Sequence, residues 1–236
     1  MINHIKSEGY KLFLSNIYRY SLIATFILTL SVGVALGSDI PESFIDQTIP
    51  LVDIFFILTF LIVGYIWCTE YAENKLRYLL ITSGSRVKLF IAKSIITYFA
   101  VTIMHLLYSI VIIMVNMRNM GILWNRISKM ASILMFQWVI LITIMSLLIF
   151  MAVVLKKYSH LTAFLIVLFL LFRWLSAVDI PANLINYFSY LDLHYRAIIN
   201  IAVQDDKLAA DILIFFSSIT FPSLIAGFFI FQKQEF

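Results

Sequence analysis

Apolar residues gather in six runs along the chain, over residues 20–37, 50–67, 89–116, 132–155, 161–177 and 208–231. A helix needs roughly 20 mostly apolar residues to cross a hydrocarbon core about 30 Å thick, and these runs meet or approach that length. The pattern predicts an all-α integral membrane protein with six transmembrane helices. The fifth run, Leu161 to Ala177, is at the short end of the range. The stretch from Arg86 to Asn116 exceeds one crossing: at 1.5 Å per residue it reaches about 46 Å, so its first two turns are expected to project into water.

Three segments between the runs have patterns of their own. From Ile2 to Tyr20, Ile5, Leu12, Phe13 and Ile17 recur at roughly helical spacing, with Lys6, Glu8, Lys11, Ser15 and Arg19 at the other positions. This predicts an interfacial elbow helix along the inner membrane surface ahead of the first span. From Cys68 to Lys93, Glu70, Glu73 and Arg77 can share a helical face, and Glu73 and Arg77 stand at i,i+4 with the acid first, the favourable order. Leu76, Leu79 and Leu80 give the same short helix an apolar stripe. In the breaker cluster Thr82, Ser83, Gly84 and Ser85, Gly84 suits a helix C-cap and Ser85 the N-cap of the next helix, which Arg86, Lys88 and Lys93 follow. A surface loop gains nothing from a leucine stripe, whereas a docking helix does. Between Val178 and Lys207, thirty residues are too many for a structureless loop. Pro181 opening a short helix, with Leu184, Tyr187, Phe188, Leu191 and Tyr195, predicts short extracellular helices packed at the outer interface or dipping into the membrane, with an interfacial aromatic belt as the equal alternative.

Composition agrees with the pattern. The 236 residues are 62% hydrophobic and 13% charged, too few charges to clothe a soluble surface of this size. No polar stretch is long enough to fold separately, so residues 1–236 are read as one membrane domain. Residues 1–19 lack a small-residue cleavage site and do not resemble a signal peptide. With Cys68 the sole cysteine, an intramolecular disulfide is impossible.

The net charge of +4 reports topology, because its basic residues flank the membrane segments and form no single patch for nucleic acid. With the N-terminus inside, Lys6, Lys11, Arg19, Lys75, Arg77, Arg86, Lys88, Lys93, Lys156, Lys157 and Lys233 fall on the cytoplasmic side, 11 of the 17 basic residues. Arg118, Arg126, Lys129, Arg196 and Lys207 fall outside and Arg173 within a span. This bias predicts a plasma-membrane protein with both termini cytoplasmic.

Candidate chemistry is sparse. The chain has no Gly-rich phosphate loop followed by Lys and Ser or Thr, no His-Glu-x-x-His helix and no Gly-x-Ser-x-Gly elbow. His4, His105, His160 and His194 are scattered without ligand spacing, so neither a catalytic nor a metal site is predicted. His105, near the middle of the third span, is read as a packing histidine ahead of a cavity lining, and Arg173 as a residue that snorkels to the interface. Gln137 and Asn116 are read as interhelical hydrogen-bonding groups. The substrate path is not assigned to residues.

The run Glu70-Tyr-Ala-Glu-Asn-Lys-Leu-Arg77, continuing through Leu79, Leu80, Ser83 and Arg86 to Lys93, resembles the type-2 ABC export permeases. So do the surface helix with Glu8 and Lys11 and the tail Phe231-Gln-Lys-Gln-Glu-Phe236. Where many relatives have a glycine after the acidic cluster, this chain has Asn74. The resemblance implies that Glu70, Glu73, Leu76, Arg77, Leu79, Leu80, Gly84 and Arg86 form a cytoplasmic coupling helix and its flanks. That helix would fit a cleft on a separate ABC ATPase subunit, which binds ATP and Mg, while this chain holds no cofactor. The resemblance further implies a second permease subunit, identical or related, and an amphipathic peptide or hydrophobic antibiotic as cargo. From another class, the alternative is a non-transporting membrane immunity or scaffold protein that binds a toxin or partner directly.

Overall fold

The computed structural model describes residues 2–36, 57–69, 71, 85–120, 124–175 and 206–234. Within them the chain is helical and contains no strand. The elements are α1 (Ile2–Leu14), α2 (Asn16–Leu36), α3 (Ile57–Thr69), α4 (Arg86–Met120), α5 (Trp124–Leu155), α6 (Tyr158–Leu175) and α7 (Asp206–Lys233). Each of the six apolar runs overlaps one of α2 to α7 over its described residues. Three helical stretches, Arg86–Val115, Met130–Leu155 and Leu213–Lys233, are long and apolar enough to cross a membrane. A fourth is added if Ile2–Leu14 and Asn16–Ser31, bent by 63°, count as one span. The expected short extracellular helices between 178 and 207 lie outside the described residues.

The N-terminal expectation needs correcting, because the helix is not continuous to Tyr20. It breaks at Ser15, whose hydroxyl donates to the Leu12 carbonyl at 2.7 Å and accepts the Tyr18 amide at 3.3 Å. One side chain thus adds a second donor to the Leu12 carbonyl, which already accepts the Ser15 amide, and satisfies an orphan amide of α2, fixing the bend where two helix ends meet. Glu8, assigned from the sequence to the polar side, is instead buried with Gly9 and Leu12, while Phe13 and Ile17 are exposed. Its carboxylate accepts a hydrogen bond from Lys11 at 2.8 Å. Ser15→Ala is expected to destabilise the fold by about 1 kcal/mol through loss of the cap. Thermal unfolding in detergent checks this, with the exposed Ser31→Ala as the control.

The helices pack about α4 and α5. α7 lies along α5, α2 along α4, and α1 crosses α4. Ser21, Thr25 and Thr29 place small residues at i, i+4 and i+8 on the buried face of α2. Each hydroxyl returns to the carbonyl four residues earlier, so the polar atom is satisfied while the backbones approach. Tyr18 ties this helix to α4 through a bond from its hydroxyl to the Ala100 carbonyl. Gly64 of α3 meets Tyr158 of α6 so closely that a Cβ there would clash with the ring. α5 ends at Lys156, which has φ 58°, and its amide still reaches the Ala152 carbonyl.

The outward surface is apolar. α4 exposes Ile95, Phe99, Leu106, Ile110 and Met114, and α7 exposes Phe221, Ile225 and Phe229. Stripes of large apolar side chains around a bundle that already buries Trp67, Met104 and Leu148 are what a helix bundle surrounded by lipid tails requires.

Candidate functional site at the basic end of the bundle

Arg86 is the first residue of α4, where the helix dipole disfavours a cation. Its guanidinium serves another helix: Nη1 donates to the carbonyls of Gln232 at 2.6 Å and Gln234 at 2.7 Å, capping the C-terminal end of α7. Two turns along α4, Lys93 is fully buried and its Nζ donates to the Ile66 carbonyl at 2.9 Å, near the end of α3. The ammonium also lies 5.7 Å from the Trp67 ring centroid. Two cations near the start of α4 therefore serve the carbonyl ends of α3 and α7, where positive charge is favoured.

Aromatic packing holds these ends together. Trp67 meets Phe90 edge-on at 5.3 Å and Phe231 at 6.2 Å, and Phe90 meets Phe228 at 5.5 Å. The indole Nε1 of Trp67 donates to Thr97 Oγ1 at 3.2 Å. Beyond the rings, Tyr71 donates its hydroxyl to Gln234 Oε1 at 2.9 Å, and Gln234 Nε2 donates to the Val153 carbonyl at 2.7 Å. The Gln234 side chain is buried, so both ends of its amide are matched where water is scarce. Lys156 and Lys157 follow Val153 within four residues and Lys233 adjoins Gln234, giving this end of the bundle its positive charge.

Of the predicted coupling residues, Arg86 lies in this cluster, whereas Glu70, Glu73, Leu76, Arg77, Leu79, Leu80 and Gly84 lie outside the described residues. The last described residue before the 72–84 segment is Tyr71, and the first after it is Ser85, whose carbonyl accepts the Leu89 amide as α4 begins. The segment's two flanks therefore meet at one place in the bundle. Compared with known proteins, the chain matches no protein-family model and no curated protein.

Sequence reasoning missed Tyr71, Gln234 and the burial of Lys93. The signal for the cations was their place near a helix start, where the dipole opposes them unless another helix end supplies carbonyls. Elsewhere the interior is joined by polar pairs. Between α4 and α5, Tyr98 bonds to Ser146, Trp138 Nε1 donates to Thr102 Oγ1 at 3.2 Å, and His105 Nε2 meets the Leu134 carbonyl at 3.0 Å. Thr143 and Thr220 join α5 to α7 at 3.0 Å. These bonds fix register between apolar helices. His105 thus sits as a packing residue, and Cys68 is buried. Among the described residues no group of three or more His, Cys, Asp or Glu side chains could hold a metal ion.

Proposed function

We propose that the chain is the membrane-spanning permease subunit of an ATP-driven ABC exporter, with six spans and with residues 2 and 234 on the cytoplasmic side. The observation that carries this reading is the joining of both flanks of the 72–84 segment, through Tyr71 and Arg86, to the basic end of an apolar helix bundle. A docking segment needs a rigid base on the bundle if a push on it is to move the spans. Its leucine stripe and flanking charges supply an apolar anchor and polar groups that fix orientation. The positive charge of this end favours the cytoplasmic side. ATP and Mg would be bound by a separate ATPase subunit, a second permease chain would complete the path, and the cargo would be an amphipathic peptide or hydrophobic antibiotic. The rival reading, a non-transporting immunity or scaffold protein, shares the bundle but gives the 72–84 segment no ATPase to meet.

Sidedness is tested by single-cysteine labelling with a membrane-impermeant thiol reagent in a Cys68→Ser background. In intact cells, cysteines at positions 43 and 183 are expected to react and those at 75 and 156 to react only after permeabilisation. Labelling at position 75 in intact cells would contradict the reading.

A further inference from the structure

Two basic side chains at the bend between α1 and α2 carry charge that no carboxylate among the described residues pairs with. Lys6 is exposed on α1, and Arg19 is exposed in the first turn of α2. Glu8, the acidic residue of this corner, is buried and accepts its bond from Lys11. Arg19 is also held in place: its Nε donates to the Phe13 carbonyl at 3.2 Å, at the C-terminal end of α1, where a cation is favoured. That bond uses one of the five N–H donors of the guanidinium and leaves four for an acceptor from outside.

Each cation shares its helix face with exposed apolar side chains. Arg19, Ile23, Phe26 and Leu30 follow at i, i+4, i+7 and i+11 along α2, so they form one row, and all four are exposed. On α1, Ile2, Lys6, Tyr10 and Phe13 form a second exposed row. Phe13 meets Phe99 edge-on with ring centroids 6.4 Å apart, and Phe99 belongs to the exposed row of α4 with Ile95 and Leu106. The α1 row therefore opens onto the same side of the bundle as the apolar surface of α4. The 63° bend sets the helix that crosses α4 against the helix that runs along it, so both cations stand at a corner from which apolar rows lead away.

From this geometry we infer that the corner binds the headgroup of an anionic phospholipid, with Arg19 on its phosphate and its acyl chains along the exposed rows of α2 and α4. Lys6 lies about 10 Å along α1 from Phe13, close enough to add its field to that of Arg19. The apolar rows decide for a lipid, because a free phosphate or an acidic peptide would leave them uncovered. Net charge decides among lipids: a choline headgroup brings its own cation and leaves less for Lys6 and Arg19 to neutralise. The assignment needs a membrane around the bundle and holds whatever partner drives it.

The test extracts the full chain in mild detergent from vesicles of equimolar phosphatidylcholine and phosphatidylglycerol with matched acyl chains, and counts by mass spectrometry the lipid retained per chain. Wild type is expected to retain phosphatidylglycerol in excess. Lys6→Gln removes a charge but no bond to another described residue, and lowers the ratio of phosphatidylglycerol to phosphatidylcholine by about fivefold, the scale of one surface cation beside anionic lipid. The double variant Lys6→Gln with Arg19→Gln lowers it by about thirtyfold. Lys88→Gln is the same loss of charge about 12 Å along α4 from Ile96, which Gly9 of α1 touches, and leaves the ratio unchanged. Excess inorganic phosphate in the wash leaves it unchanged as well. Equal retention of the two lipids by wild type, an undiminished ratio in Lys6→Gln or in the double variant, an equal loss in Lys88→Gln, or displacement by inorganic phosphate would overturn the assignment.

Discussion

Leu79→Asp is expected to abolish capture of the ATPase subunit while the chain still inserts and accumulates in the membrane. The substitution places a charge in the proposed apolar anchor of the 70–84 segment. A buried charge without a partner costs about 3–5 kcal/mol, a loss of more than a hundredfold in affinity for a docking surface of modest size. Leu79 lies outside all six apolar runs, so insertion has no reason to change. Pull-down of the ATPase, normalised to the amount of chain, measures the effect, and Ser43→Asp, in the segment proposed to lie outside, is the control expected to retain the partner. Equal retention by both variants would show that the segment is an ordinary connection.

Lys93→Met is expected to have the largest effect on stability. Methionine nearly reproduces the volume of the lysine stem but cannot donate to the Ile66 carbonyl or place a cation beside Trp67. Hydrogen bonds to charged groups contribute about 1.5–3 kcal/mol, and a partly desolvated cation–π contact about 0.5–2 kcal/mol. Lys93 has further interactions besides these two, so a loss of at least about 2 kcal/mol is expected. Thermal unfolding in detergent checks it, with Lys88→Met as the comparison, since Lys88 lies exposed on the same helix. An unfolding midpoint for Lys93→Met equal to that of Lys88→Met would remove the cation from any role in holding α3 to α4.

The existence of the helices was legible in the sequence because the apolar runs are long and few charges interrupt them. Their ends were less so. α5 begins at Trp124, where apolarity alone placed the start of the fourth run at 132, because Asn125, Arg126, Ser128 and Lys129 are compatible with a helix but not with lipid. The break at Ser15 was missed because the apolar spacing continues through it, and what ends α1 is one hydroxyl that serves two helix ends.

The candidate site was legible only where its signal was local. The leucine stripe and the Glu73 to Arg77 spacing are local signals in the sequence, but they lie outside the described residues, so the structure speaks only of their flank at Arg86. Arg86 was recognised as a flank of the docking segment at the start of the next helix, and its observed partners are the carbonyls of Gln232 and Gln234. Tyr71 and Gln234 stand inside the two stretches that carry the resemblance but were given no role, because each acquires meaning only when the ends of α3 and α7 are brought together. Buried Glu8 is a similar case: its spacing with Lys11 suits a surface pair, and burial follows from the way α1 crosses α4.

The central claim, that this bundle is driven by a separate ATPase, is tested most directly by purifying the wild-type chain from its native membrane in mild detergent and measuring ATP hydrolysis. An ATP-binding-cassette subunit is expected to co-purify and to account for all the hydrolysis, with none above background once it is stripped away. An intact chain that brings down no ATPase, or that hydrolyses ATP by itself when free of contaminants, would contradict the account.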